Sequence, residues 1–167
     1  MLSTDEVVHD LYGSAEVRDA VVKRFGAEVA PGGDVDRRAL ADRMFASDGD
    51  REWIEALLWP RVGQRMMDWR AEVDRRQPAP PAAVVEVPLL FESGLERAFD
   101  ATIAVVAEEA VRSDRAGARG HAAVAERTAR QLSQEEKASR AQYVVTNDGT
   151  PAELEAALSA VLDMLRR

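Results

Sequence analysis

The 167 residues are 46% apolar, 31% charged and 5% aromatic, with 22 basic against 30 acidic side chains and no cysteine. A formal charge of −8 argues against a general nucleic-acid backbone binder, which needs a basic surface. Zero cysteines exclude disulfides, thiolate metal sites and thiol catalysis, and no apolar run approaches the roughly 18 residues of a membrane span.

At the N-terminus, Met1-Leu2-Ser3-Thr4-Asp5-Glu6 lacks the basic patch and apolar run of a secretory signal, so a cytoplasmic location is expected. Val7, Val8 and Leu11 form a short apolar face behind Thr4, Asp5 and Glu6, residues suited to open a helix. Val17, Val21, Val22 and Phe25 continue at helical spacing, and Gly26 offers a stop. Pro31-Gly32-Gly33-Asp34 has the composition of a turn. Leu40, Met44 and Phe45 mark a further helix with Asp36 as its cap. A longer amphipathic stretch runs from about Asp50 and carries Trp53, Ile54, Leu57, Leu58, Val62, Met66 and Val73; Pro60 is expected to kink or divide it. Trp53, Trp59 and Trp69 sit at helical spacings that usually mean core.

The character changes at Gln77-Pro78-Ala79-Pro80-Pro81, a stiff connector. Beyond it, Ala82–Pro88, Thr102–Val106 and Tyr143–Thr146 are short, β-branched runs without alternation, which read as strands buried on both faces. Helical sequence separates them. The last run leads into a helix with a capping box of Thr150 and Glu153, Pro151 at its first position, and Leu154, Leu158, Val161, Leu162 and Leu165 as the buried stripe. Buried strands alternating with helices predict a parallel α/β sheet, and the helical block before residue 77 reads as a lobe inserted into it.

Two places carry charge in patterns that suit chemistry. Arg112, Arg115 and Arg119 share one helix face, and like charges at that spacing repel by a few tenths of a kcal/mol per pair. An anion opposite would offset this, since guanidinium forks suit phosphate oxygens. A solvated face neutralised by Glu108, Glu109 and Asp114 is the alternative. Asp5 follows what reads as the end of a short strand, where α/β sheets place ligand chemistry and a carboxylate can take a proton from a hydroxyl. Its alternative is an acid in the first turn of a helix, favoured there by the macrodipole. His9 and His121 lie far apart without a companion carboxylate motif, so no metal site is expected.

The segment Val85-Glu86-Val87-Pro88-Leu89-Leu90-Phe91-Glu92-Ser93-Gly94-Leu95 closely resembles a signature of the dephospho-CoA kinase family. So does Gln131-Leu132-Ser133-Gln134-Glu135-Glu136-Lys137-Ala138, running on through Arg140-Ala141 to Tyr143-Val144-Val145-Thr146-Asn147-Asp148-Gly149. Gly33–Leu40 and Glu55–Pro60 resemble its helical lobe, so the ordered motifs span nearly the whole chain. The resemblance implies an α/β P-loop-kinase-like fold with helices on both faces of a parallel sheet. It implies a single domain over 1–167, incomplete at its first strand, with an acceptor-binding insertion over about 13–77 and a lid over about 112–140. It also implies ATP with Mg²⁺, and dephospho-CoA as the acceptor phosphorylated on its ribose 3′-hydroxyl, with no nucleic-acid or membrane partner. Asp5 then falls on the acid that orients or deprotonates that hydroxyl, and Arg115 on the arginine that stabilises the transferred phosphoryl group. Arg112 and Arg119 become lid residues facing phosphate. Asn147, Asp148 and Gly149 lie near adenine, and Pro88, Leu89 and Glu92 near substrate.

The departures are as informative. No GxxGSGK[ST] loop occurs in the 167 residues, and the only adjacent glycine pair is Gly32-Gly33. The chain therefore lacks the backbone cradle for phosphates, the lysine and the Mg²⁺-binding hydroxyl of a P-loop. Ser3 stands where the family commonly has an acid and Trp59 where it has histidine, and the stretch from Arg119 to Gln131 is shorter than the usual lid. A strand–loop–helix unit of roughly 30 residues is missing from the pattern, and its strand belongs in mid-sheet, where its loss would open an apolar slot. Two readings follow: a kinase truncated and inactive as written, or a non-catalytic remnant that binds a CoA-like ligand or protein partner. A kinase of another nucleotide-like acceptor is a third. For the first we expect Met1 to be an in-frame GTG valine codon read as a start. Sequencing the DNA 5′ of codon 1 should reveal a stretch encoding GSGK[ST]; a stop codon before any such stretch would contradict the expectation.

Overall fold

A computed structural model describes residues 1–118 and 131–166. The chain falls into two compact units, Met1–Pro88 and Leu89–Arg167.

In the first unit a short strand β1 (Leu2–Ser3) pairs in parallel with β2 (Val85–Glu86), Leu2 beside Val85 and Ser3 beside Glu86. Four helices lie between them in sequence: α1 (Thr4–Gly13), α2 (Ala15–Phe25), α3 (Arg37–Ala46) and α4 (Asp48–Asp74). Their apolar faces meet in one core of Val7, Leu11, Val17, Val21, Val29, Leu40, Ile54, Leu58 and Val62. The helical lobe expected before residue 77 is therefore the body of this unit.

Local chemistry sets each boundary. Ser14 separates α1 from α2 by donating its hydroxyl to Leu11 O (2.7 Å) while accepting from the Val17 N–H (3.4 Å). Gly26 ends α2 at φ 91°, a conformation open to glycine without steric penalty. The Asp36 carboxylate accepts from the Arg38 and Ala39 N–H groups and caps α3 as the sequence predicts. The stretch expected from about Asp50 begins slightly earlier, at Asp48, because Ser47 accepts from the Asp50 N–H and starts the helix there.

Pro60 does not divide α4, which runs unbroken for 27 residues. Ile54, Leu58, Val62 and Val73 are buried along it, so packing on both sides of the ring outweighs the lost hydrogen bond. The Arg61 guanidinium, 2.5 Å from Leu57 O, satisfies a carbonyl in the turn before the ring. The tryptophans also depart from expectation. Trp53 packs edge-on against Phe25 with ring centroids 5.6 Å apart, but Trp59 is 55% exposed.

In the second unit β3 (Ile103–Val106) and β4 (Tyr143–Thr146) pair in parallel, from Ile103 beside Tyr143 to Val106 beside Thr146. A 3-10 turn (Leu95–Ala98) and three α-helices complete its regular structure among the described residues: α5 (Glu109–Ala118), α6 (Gln134–Arg140) and α7 (Pro151–Leu165). Reciprocal capping boxes open both α6 (Ser133 with Glu136) and α7 (Thr150 with Glu153). Helix α6 packs on β3, and α7 on β4.

The fold is α/β with parallel strands, as the sequence predicts, but burial is thinner than expected. Val105 and Val144 are 51% and 49% exposed, against a prediction of strands covered on both faces. Each pair is only two strands wide, so alternate positions find no neighbour to cover them. Along α7 the same holds: Val161 is buried, whereas Leu158 and Leu165 are exposed. Among the described residues no helix is long and apolar enough to cross a membrane.

Truncating Ile54, 1% exposed at the centre of the helical core, should remove about 3–4 kcal/mol of unfolding free energy in Ile54→Ala, read by urea denaturation. Trp59→Ala, on the exposed face of the same helix, should cost far less.

Candidate active site

Parallel pairing sends both strands of each pair out at the same edge, where Asp5 follows β1 in the first unit and Asn147, Asp148 and Gly149 follow β4 in the second. In the first unit the chain leaves β1 at Thr4, whose hydroxyl donates to Glu86 O of β2 (3.1 Å) and ties the two strand ends together. The next residue, Asp5, is exposed in the first turn of α1, and no hydrogen bond or ion pair among the described residues occupies its carboxylate. Pro88 follows β2 at this edge.

In the second unit β3 exits through Ala107 and Glu108, and β4 through Asn147, Asp148 and Gly149. The two exits are laced together. The Asn147 N–H donates to Val106 O (2.7 Å), and the Glu108 N–H to Asp148 Oδ1 (2.6 Å). Arg115, one turn from the end of α5, reaches over with Nη1 on Asn147 O (2.7 Å) and Nη2 on Gly149 O (3.2 Å). The structure thus joins two sets of residues that the sequence could only name separately, Arg115 and the 147–149 loop. Arg112 is not part of this group, because its guanidinium pairs with Glu109 at 2.8 Å on the exposed face of α5. Arg119 lies outside the described residues. Gly149 is closely approached: a side chain there would collide with the Glu153 carboxylate, which reaches back to cap α7 at Thr150.

Leu89 and Glu92 sit in the turn that opens the second unit. Leu89 is 44% exposed, and its carbonyl accepts from the Ser93 hydroxyl (2.7 Å). Glu92 is largely buried, and its Oε1 accepts from the Leu132 N–H (3.0 Å) and pairs with Lys137 Nζ (3.0 Å). Burial opposes its charge, but the Lys137 ammonium and neighbouring backbone N–H groups outweigh it and hold the carboxyl below its ordinary range. Glu92 Oε2 is buried with no hydrogen-bond partner among the described residues.

Sequence reasoning gave no role to three of the residues that fasten the two ends of this strand pair. Gln134, first in α6, accepts from the Ala107 N–H (2.9 Å) and donates to Ala107 O (2.8 Å). Gln142 and Thr102 exchange side-chain bonds with each other's backbone N–H groups below the strands (3.0 and 3.1 Å). Side-chain amides that imitate backbone leave no trace in hydrophobic periodicity, so only the pairing itself reveals them. Among the described residues no group of three or more histidines and carboxylates is placed to hold a metal ion.

The sequence profile of the family described as CoaE, dephospho-CoA kinase, matches residues 3–153. The chain belongs to the dephospho-CoA kinase family. A dephospho-CoA kinase of Anaeromyxobacter dehalogenans is 39% identical over 150 residues, covering 87% of this chain and 70% of the relative. One from Protochlamydia amoebophila is 35% identical over 170 residues, covering 99% and 83%. Among solved structures, the Thermus thermophilus protein TT1252 superposes with a TM-score of 0.79 at 34% identity, over 98% of this chain and 83% of its own. Dephospho-CoA kinases are phosphotransferases.

The Glu92–Lys137 pair gives a measurable pH dependence. Because the folded carboxyl titrates below its unfolded value, its stabilisation is present above the unfolded value and is lost as pH falls through the folded one. Glu92→Gln should lower stability by about 1–2 kcal/mol near neutral pH, and the difference from wild type should vanish in acid, in urea titrations at both pH values.

Proposed function

We propose that Asp5 and Arg115 are the reacting-centre residues of this dephospho-CoA kinase, in which the ATP γ-phosphoryl group passes to the ribose 3′-hydroxyl of dephospho-CoA. The observation that carries this reading is the exposed, unengaged Asp5 carboxylate immediately beyond a parallel strand end. Asp5 accepts or orients the hydroxyl proton as the acceptor oxygen attacks phosphorus. Arg115 stabilises charge on the transferred group with the guanidinium hydrogens that its two carbonyl contacts leave over. The 147–149 loop sits beside adenine, and Leu89 and Glu92, with Pro88, shape the approach to substrate. Arg112 and Arg119 add positive charge near phosphate, Arg112 after release from Glu109. The expected cellular setting is the cytosol, where both substrates are soluble.

Mg²⁺ belongs to this reaction by family, but these 167 residues do not fit it. They hold no GxxxxGK[ST] hydroxyl, and the described residues hold no cluster of carboxylates or histidines to replace it. The same missing loop leaves the ATP phosphates without that cradle within these 167 residues.

Two assays test the reading. The 167-residue polypeptide should show no ATP-dependent phosphorylation of dephospho-CoA, and turnover above the uncatalysed background would show that the phosphates are held without that cradle. In a chimera that joins a relative's strand, phosphate loop and helix ahead of Met1, activity should appear with dephospho-CoA in preference to nucleoside monophosphates. There Asp5→Asn should lower kcat by about 100- to 10,000-fold with little change in KM, and an undiminished kcat would remove Asp5 from the reaction.

A further inference from the structure

Gln134 makes a contact that the phosphoryl-transfer chemistry does not use. Its side-chain amide is paired in both directions with the backbone of Ala107, accepting at 2.9 Å and donating at 2.8 Å, as a neighbouring strand would. Ala107 is the first residue beyond β3. From there the contacts run on without a break. The Val106 carbonyl receives the Asn147 N–H, the Glu108 N–H meets Asp148 Oδ1, and Arg115 binds the Asn147 and Gly149 carbonyls from the far side. Gln134 is itself well fixed. It is the first residue of α6, the Ser133–Glu136 capping box sets that helix start, and the preceding Leu132 N–H is bonded to Glu92.

We propose that Gln134 is a positioning residue for nucleotide: a one-residue strand surrogate that holds Ala107 in register, and through Ala107 and Glu108 sets the 147–149 loop before any ligand arrives. The proposal rests on the reading that this loop lies beside adenine. The physical argument is pre-organisation. A loop held by three backbone contacts and one through the Asp148 side chain loses less freedom on binding a flat base than one that must be ordered by the base itself. Gln134 touches no substrate in this scheme and acts only through the Ala107 backbone. Gln134 is half-buried, and at the start of a seven-residue helix its side chain turns onto the strand end instead of out to solvent.

The test is an adenosine titration of the full ¹⁵N-labelled chain, following the Asn147 and Gly149 amide signals, with amide hydrogen exchange measured at Ala107. Gln134→Met keeps the length of the side chain and removes both hydrogen bonds. It should speed exchange at Ala107 and weaken adenosine binding about tenfold, while the thermal midpoint stays close to wild type. The wild-type chain supplies a second readout that needs no variant. If the Gln134–Ala107 pairing favours the base, the base must favour the pairing, so saturating adenosine should slow Ala107 exchange by a similar factor. Equal adenosine affinity in wild type and Gln134→Met, or Ala107 exchange unchanged by adenosine, would overturn the proposal and leave the adenine reading intact. Asn147 and Gly149 signals that do not move with adenosine in wild type would overturn the adenine reading, and the proposal with it.

Discussion

Parallel strand pairing is the constraint from which the site follows. Two parallel strands must release their chains on the same side, so whatever the sequence writes after each strand arrives as a neighbour of what it writes after the other. Residues 107–108 and 147–149 are forty positions apart, yet they share hydrogen bonds because β3 and β4 run together. The same geometry brings Thr4 and Glu86 into contact in the first unit and leaves Asp5 standing at the exit of β1. Chemistry at such an edge needs no long-range design beyond strand direction.

What the sequence made legible was chiefly local. Asp36, and Thr150 with Glu153, announce helix starts through short-range hydrogen bonds, and the structure keeps each. The strands at 103–106 and 143–146 were readable from β-branched runs, and Asp5 and Arg115 from ordered motifs rather than from spacing. Tertiary terms were not readable. Pro60 should end a helix by local rules, and it fails to because buried side chains on either side of it hold α4 in place. Leu158 and Leu165 lie on a helical stripe with Val161, but a stripe tells only which face is apolar and not whether anything covers it. Val105 and Val144 make the same point for strands.

The arginine row shows how far charge pattern alone can mislead. Arg112 and Arg115 are three positions apart on one helix, and each answered half of the question put to the row. Arg112 lies with a glutamate on the exposed face, as a solvated helix would have it. Arg115, half-buried, binds two carbonyls at the exit of β4. Spacing placed them together, and only the position of the second strand distinguished them. A chain with net negative charge must meet anionic substrates through such local exceptions, because its overall field repels them.

The crowding at Gly149 has a consequence for how this family can vary. Glu153 occupies the space that any side chain at 149 would need, and the same carboxylate opens α7. Replacing the glycine would therefore displace a helix cap as well as reshape a loop. The glycine serves the start of α7 as well as the loop, so its presence alone does not mark retained catalysis.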